Sequence, residues 1–203
     1  GQLYNGTEQG RIYRIAPEDA AAATWLQNLD LPSQSTETLV QLLAHPNSWQ
    51  RRTAQRLLVT QKDSAAIPYL EKLATQNDQA LGQLHALWAL EGLTATQGDL
   101  LRQALQAPQA GLRENAIKLI ELHLSEHPEW AEWLYPLAAD TDARVRFQLL
   151  CTLGDIDTPE ARQQANAILQ QDMADDWVHL AALSSPLVDE AELLTATIAQ
   201  LDA

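Results

Sequence analysis

The segment His-Leu-Ser-Glu-His at residues 123–127 has the spacing of a metal-hydrolase motif. On one helix, His123 and His127 would lie four residues apart on a shared face. There they would hold a divalent cation, with Glu126 as the base. Pro128 works against that reading, because the residue before a proline is pushed out of helical geometry. Histidines in a last helical turn also suit the negative end of the helix dipole without any metal. No third ligand stands out. A metal hydrolase at this segment is therefore the alternative reading, and no catalytic residue, metal or cofactor is expected. Cys151 is the single cysteine, which excludes an intramolecular disulfide and any Cys-x-x-Cys motif. Within an apolar helix it reads as an inert filler rather than a nucleophile. Asn5-Gly6-Thr7 matches a glycosylation acceptor, a pattern too short to carry weight by itself.

A second kind of chemistry, binding, is suggested by Ser48–Leu58, "SWQRRTAQRLL". Three arginines and a tryptophan crowd into it, although the chain has 27 acidic and 13 basic residues and a net charge of −14. That balance excludes a nucleic-acid backbone as the main partner. It is uneven along the chain, since residues 155–203 hold ten acids and one base. No apolar run reaches the roughly 18 residues of a membrane helix, so membrane insertion is not expected.

The elements that must present these side chains come from a repeat. The pattern Leu-x-x-Leu-[Leu/Ala] begins at Leu39, Leu70, Leu101, Leu134 and Ala165, at spacings of 31, 31, 33 and 31. Its second column is Leu42, Leu73, Ala104, Leu137 and Ile168, and its third is Leu43, Ala74, Leu105, Ala138 and Leu169. A second motif follows each copy, anchored at Ala54, Ala86, Ala116, Leu149 and Ala181. An arginine precedes three of these anchors, at Arg51, Arg113 and Arg146, with Gln83 and Val178 as departures. Each unit thus has two helices with apolar residues at i, i+3 and i+4. "HPNS", "QND", "APQAG" and "DTD" separate first from second helices, and "QKDS" and "DIDTPE" separate units. Thr158, ahead of Pro159, is an expected N-cap. Pro68 and Pro136 predict late or broken first helices. Paired helices repeating at this period stack into an α-solenoid.

At 100° per residue, with Ala54 inward, Arg51 falls at the buried edge and Trp49, Arg52 and Arg56 point away. Arg51, Arg113 and Arg146 then form a structural ladder. The outward position continues through Leu84, Glu114, Phe147 and His179. One turn later it runs through Trp88, Lys118, Cys151 and Leu183. His85 sits at the edge of this strip. In such arrays the second helices line the concave surface, where partners dock. The candidate interface is Trp49, Arg52, Arg56, Leu84, His85, Trp88, Glu114, Lys118 and Phe147. Whether its apolar members face a partner or pack between helices is open at this level.

Three further segments carry a resemblance. Asp142–Leu149 follows Asp-x-x-Val-Arg-x-x-[Ala/Leu], with similar copies at 50–54 and 112–116, and is similar to bacterial HEAT repeats of the phycobilisome-lyase type. The fold this implies is all-α: a right-handed α-α superhelix of about five helix pairs over 36–203, closed by a capping helix at 188–201. "GRIYRI" (10–15), "LLAHPNSWQRRTAQRLL" (42–58), "LHALWALEGL" (84–93) and "LRENAIKLIE" (112–121) together resemble the bacterial membrane-bound-dehydrogenase-like family. That family joins a β-propeller, HEAT repeats and usually a cytochrome c domain. The resemblance makes 10–15 the closing strand of a preceding β-domain, followed by a linker and a helix within 16–35. It places Trp49, Arg51, Arg52, His85, Trp88, Arg113, Glu114 and Asn115 on the family's characteristic helices. It also implies a periplasmic or cell-envelope location, and a propeller, a cytochrome domain or another protein as partner. No Cys-x-x-Cys-His occurs here, so the expected role is a non-catalytic scaffold. A HEAT-like DNA glycosylase is the other enzymatic alternative, opposed by the acidic balance.

Overall fold

The computed structural model describes residues 30–76 and 78–185, together with Ala191, Thr195 and Ile198. The chain divides into two compact units, Gly1–Ser33 and Gln34–Ala203. The described part of the first is a 3-10 turn at Leu31–Ser33. The strand expected at 10–15 and the helix expected within 16–35 lie outside the described residues up to position 29. Within the expected cap at 188–201, Ala191, Thr195 and Ile198 are helical, and the rest lies outside the described residues.

The described residues of the second unit form an α-solenoid of five helix pairs, with no strand among them. The pairs are α1 (Thr36–Leu42) with α2 (Ser48–Thr60), α3 (Ile67–Ala74) with α4 (Ala80–Gly92), and α5 (Gly98–Ala104) with α6 (Ala110–Glu121). They continue with α7 (Ala131–Leu134) and α8 (Ala143–Leu153), then α9 (Pro159–Gln171) and α10 (Asp176–Ser184). The second helices pack in succession, α2 on α4, α4 on α6, α6 on α8 and α8 on α10, and form a continuous layer.

Short polar side chains start the helices by taking up orphan amide N–H groups. Asn47 accepts from Trp49, Asp142 from Arg144, Thr158 from Ala161, and Asp175 from Trp177. Proline acts as its chemistry requires. Pro68 lies in the first turn of α3, which starts late behind a 3-10 turn. Pro136 confines α7 to four residues, continued as the 3-10 segment Tyr135–Ala139. Helices α2 and α4 end alike. Lys62 (φ 51°) and Thr94 (φ 54°) adopt the left-handed conformation. The next amides, Asp63 N–H and Ala95 N–H, then reach back to Leu58 and Leu90 carbonyls.

The repeat columns form the core. Of the fifteen residues in the three first-helix columns, all but Leu42 are buried. Each fully buried leucine contributes about 1.5–3 kcal/mol. Ala54, Ala86, Ala116 and Leu149 are fully enclosed. The fifth unit corrects the sequence register by one residue. Counted from the N-caps Asn47, Gln79, Gln109, Asp142 and Asp175, the anchor lies seven residues on, which makes it Ala182 rather than Ala181. Ala182 is buried, whereas Ala181 is half-exposed. The arginine register then falls on His179 rather than Val178, and the outward rows end on Leu180 and Ser184 rather than His179 and Leu183. The loop around the buried Met173 supplies the offset.

Candidate interaction face of the second helices

Position four after each N-cap holds Arg51, Gln83, Arg113, Arg146 and His179. The arginines do two jobs there. Each uses Nη1 to close the preceding loop: Arg51 on the His45 and Pro46 carbonyls, Arg113 on Ala107 and Pro108, and Arg146 on Asp140. Each then reaches the next unit. Arg113 binds both oxygens of Asp140 at 2.6 and 2.7 Å, and Arg146 binds both of Asp172 at 2.7 and 2.5 Å. Burial alone would raise the Asp140 carboxyl, but hydrogen bonds from Arg113 and the Asp142 amide outweigh it and hold it low. The same pairing raises Arg113. Asp142, hydrogen-bonded by Arg144, is lowered to about 2.

The first rung has a neutral imidazole where the others have a carboxylate. Arg51 Nε donates to His85 Nε2 at 3.3 Å, and His85 Nδ1–H donates to Gln55 Oε1 at 2.6 Å. Both ring nitrogens are thus committed in the uncharged form. Burial, then the charges of Arg51 and Arg52, push the His85 pKa down. His85 is therefore part of the ladder.

Trp49, Arg52 and Arg56 share one stripe of α2, at i, i+3 and i+7. With Trp88 of α4 they line a groove of about 910 Å³ at the seam of the two helices. Val59, Thr60, Glu91 and Gly92 are also in its wall. Gly92 is required there: a Cβ would stand 2.7 Å from Val59 Cγ2. Trp49 is 51% exposed, and Arg52 and Arg56 are exposed. Among the described residues neither arginine makes an ion pair, whereas Arg113, Arg144, Arg146 and Arg162 all do. Trp88 is half-buried, its indole N–H fixed on Asn115 Oδ1 at 3.0 Å. Glu91 is held at one end of the groove by His123 Nε2 and by the Thr96 hydroxyl, at 2.7 and 2.6 Å.

The other candidates lie along the same layer but outside this groove. Leu84 is half-buried. Glu114 and Lys118 neutralise one another across one helical turn at 2.6 Å. Phe147 is half-buried and lines a separate recess with Cys151, Trp177 and Leu180. Sequence reasoning missed Val59 of α2 and Glu91 and Gly92 of α4, which join Trp49 and Trp88 in one surface only once α2 is set against α4. It also missed Trp177 and Leu180, both exposed, because the register of the last unit was one residue off.

The segment 123–127 does not form a shared helical metal face. Helix α6 ends at Glu121, and His127 caps a separate 3-10 turn. His123 is engaged with Glu91, and His127 stacks on Trp130 with ring centres 4.4 Å apart and planes within 7°. Trp130 stacks in turn on Trp133, which faces Arg102 of α5. Among the described residues no three His, Cys, Asp or Glu side chains are grouped to hold a metal ion. The Cys151 thiol is raised by partial burial and by Glu121, away from the nucleophilic thiolate. No described helix is long and apolar enough to cross a membrane.

Comparison with curated proteins and with solved structures returns no match. Residues 98–185 match the family model of HEAT repeats, a span that runs from the start of α5 to the end of α10. The helix pairs, the arginine ladder and this match together make the second unit a solenoid containing a HEAT-repeat region.

Proposed function

We propose that this chain is a protein-interaction scaffold that docks its partner on the second-helix layer and acts by binding rather than by catalysis. The observation that carries this reading is the groove of Trp49, Arg52, Arg56 and Trp88. Two guanidinium groups without ion pairs among the described residues share one open surface with two tryptophans. Tryptophan and arginine are the residues that dominate the centres of protein interfaces. The ladder arginines, by contrast, are consumed in holding units together.

The wider setting we propose is a larger exported bacterial protein of dehydrogenase-like architecture, in the periplasm or cell envelope. There the repeats would space a catalytic domain from an electron-transfer domain. The support is the resemblance of residues 42–58, 84–93 and 112–121 to that family.

Site-specific photo-crosslinking tests the docking face. A photoreactive residue at Trp49, Trp88 or Lys118 is expected to give adducts with another polypeptide or domain. The same residue at Gln103 or Gln170, exposed on first helices, is expected to give none. Equal yields from both faces, or adducts only from Gln103 and Gln170, would overturn the reading.

A further inference from the structure

We infer that the occupant of the α2–α4 groove is an extended acidic peptide segment of another polypeptide, with two carboxylates one residue apart in its sequence and an apolar side chain beside them. This rests on the interaction reading above and specifies the partner's chemistry.

The argument is one of complementary charge. The chain carries −14 overall, yet Arg52 and Arg56 stand together on its surface without a partner among the described residues. Arg52 and Arg56 lie one helical turn apart, with Cβ atoms about 6 Å from each other, and like charges at that spacing disfavour one another unless an anion lies between or over them. Their counterpart is a pair of carboxylates at a similar spacing. Side chains at i and i+2 of an extended chain, roughly 7 Å apart on one face, supply it.

The tryptophans set the rest of the ligand. Trp49 flanks the arginines from the preceding turn of α2, and Trp88 forms the opposite wall with its polar N–H already satisfied by Asn115. What Trp88 offers the groove is therefore an apolar ring face, which fits an aliphatic or aromatic side chain. Glu91, also in the wall, excludes a uniformly anionic ligand from that end. Two cations do not make a phosphate track, and the surrounding acidity repels a polyanion, so a nucleic acid fits poorly.

The test is titration of the purified chain with a short synthetic peptide bearing Asp-x-Asp beside Leu and Phe. The comparisons are its Asn-x-Asn isostere, a Lys-x-Lys version and a single-stranded oligonucleotide, read by calorimetry and tryptophan fluorescence. The acidic peptide is expected to bind, to weaken as salt is raised, and to quench or shift the tryptophan emission. Arg52→Glu with Arg56→Glu should weaken it tenfold or more and transfer preference to the Lys-x-Lys peptide. Arg52→Gln with Arg56→Gln repeats the loss without adding charge. Equal binding of the acidic and Asn-x-Asn peptides, no effect of either double variant, or tighter binding of the oligonucleotide each overturns the inference. So does self-association of the chain that the double variants abolish, since the occupant would then be a second copy. Failure of the acidic peptide, with crosslinks still confined to the second-helix face, overturns this inference and leaves the interaction reading standing.

Discussion

Arg146 holds both carboxylate oxygens of Asp172 across the boundary between the fourth and fifth helix pairs, at 2.7 and 2.5 Å. The same arginine closes its own loop through the Asp140 carbonyl, while the Asp140 carboxylate is held by Arg113. The result is an unbroken chain of charge-assisted bonds, Arg113–Asp140–Arg146–Asp172, through three successive units. Both members of the last pair are largely buried, with side chains 8% and 14% exposed. Arg146→Met leaves Asp172 without its cation, so unfolding by denaturant should show a loss of roughly 3 kcal/mol. Adding Asp172→Leu should recover part of that loss, because the stranded charge is removed.

Neighbouring arginines should behave differently. Arg51→Ser breaks bonds to two loop carbonyls and to His85, and should cost about 1–2 kcal/mol in the same measurement. Arg52→Ser removes an exposed side chain with no ion pair among the described residues and should stay within about 0.5 kcal/mol of the parent chain. Similar losses for the two would contradict the division between ladder and groove.

His85 predicts a pH dependence whose sign is fixed by its lowered pKa. Above the ordinary histidine value of 6.5, neither the folded nor the unfolded chain binds a proton at this site. As pH falls below that value, the unfolded chain takes up the proton that folded His85 resists, and stability declines until the folded pKa is passed. His85→Gln should remove this part of the slope. Denaturant unfolding of both proteins between pH 8 and pH 5 should give curves that converge toward the acid end.

The close approach of α2 and α4 gives a packing test. Gly92→Ala would put a methyl group 2.7 Å from Val59 Cγ2, and β-branched valine has little freedom to turn aside. A loss of about 1–3 kcal/mol is expected. Val59→Ala added to Gly92→Ala should restore part of it and widen the groove, both readable from unfolding curves and Trp88 emission.

Much of this architecture is legible in the residues alone, because burial repeats. Leu39, Leu70, Leu101 and Leu134 recur at nearly constant spacing, since each must fill the same gap between helices. The angular reading of α2 separated Arg51 from Arg52 for the same reason: Ala54 fixes which way the helix faces. Periodicity fails where two neighbours are equally plausible core residues, as with Ala181 and Ala182, and the fifth unit slipped there. It is also silent about partners in other repeats. That Arg113 meets Asp140, Trp88 meets Asn115 and Glu91 meets His123 depends on how successive helices are set against each other. His85 shows the limit well: its position at the edge of the strip allows a structural or a docking role, and only the packed helices reveal that Gln55 and Arg51 engage both of its nitrogens.

Gln83 occupies the ladder position in the second pair, and it breaks the series. Its amide nitrogen donates back to Ala74 of its own unit, and its side-chain oxygen is buried with no partner among the described residues. Among the described residues no strap of the Arg113 or Arg146 kind therefore spans the loop edge between the second and third pairs, although Trp88–Asn115 and Glu91–His123 fasten the α4–α6 seam. A tensile load along the array would not spread evenly. The stretch from α5 to α10 would move as a stiff lever, and the compliance would collect at one joint beside the groove.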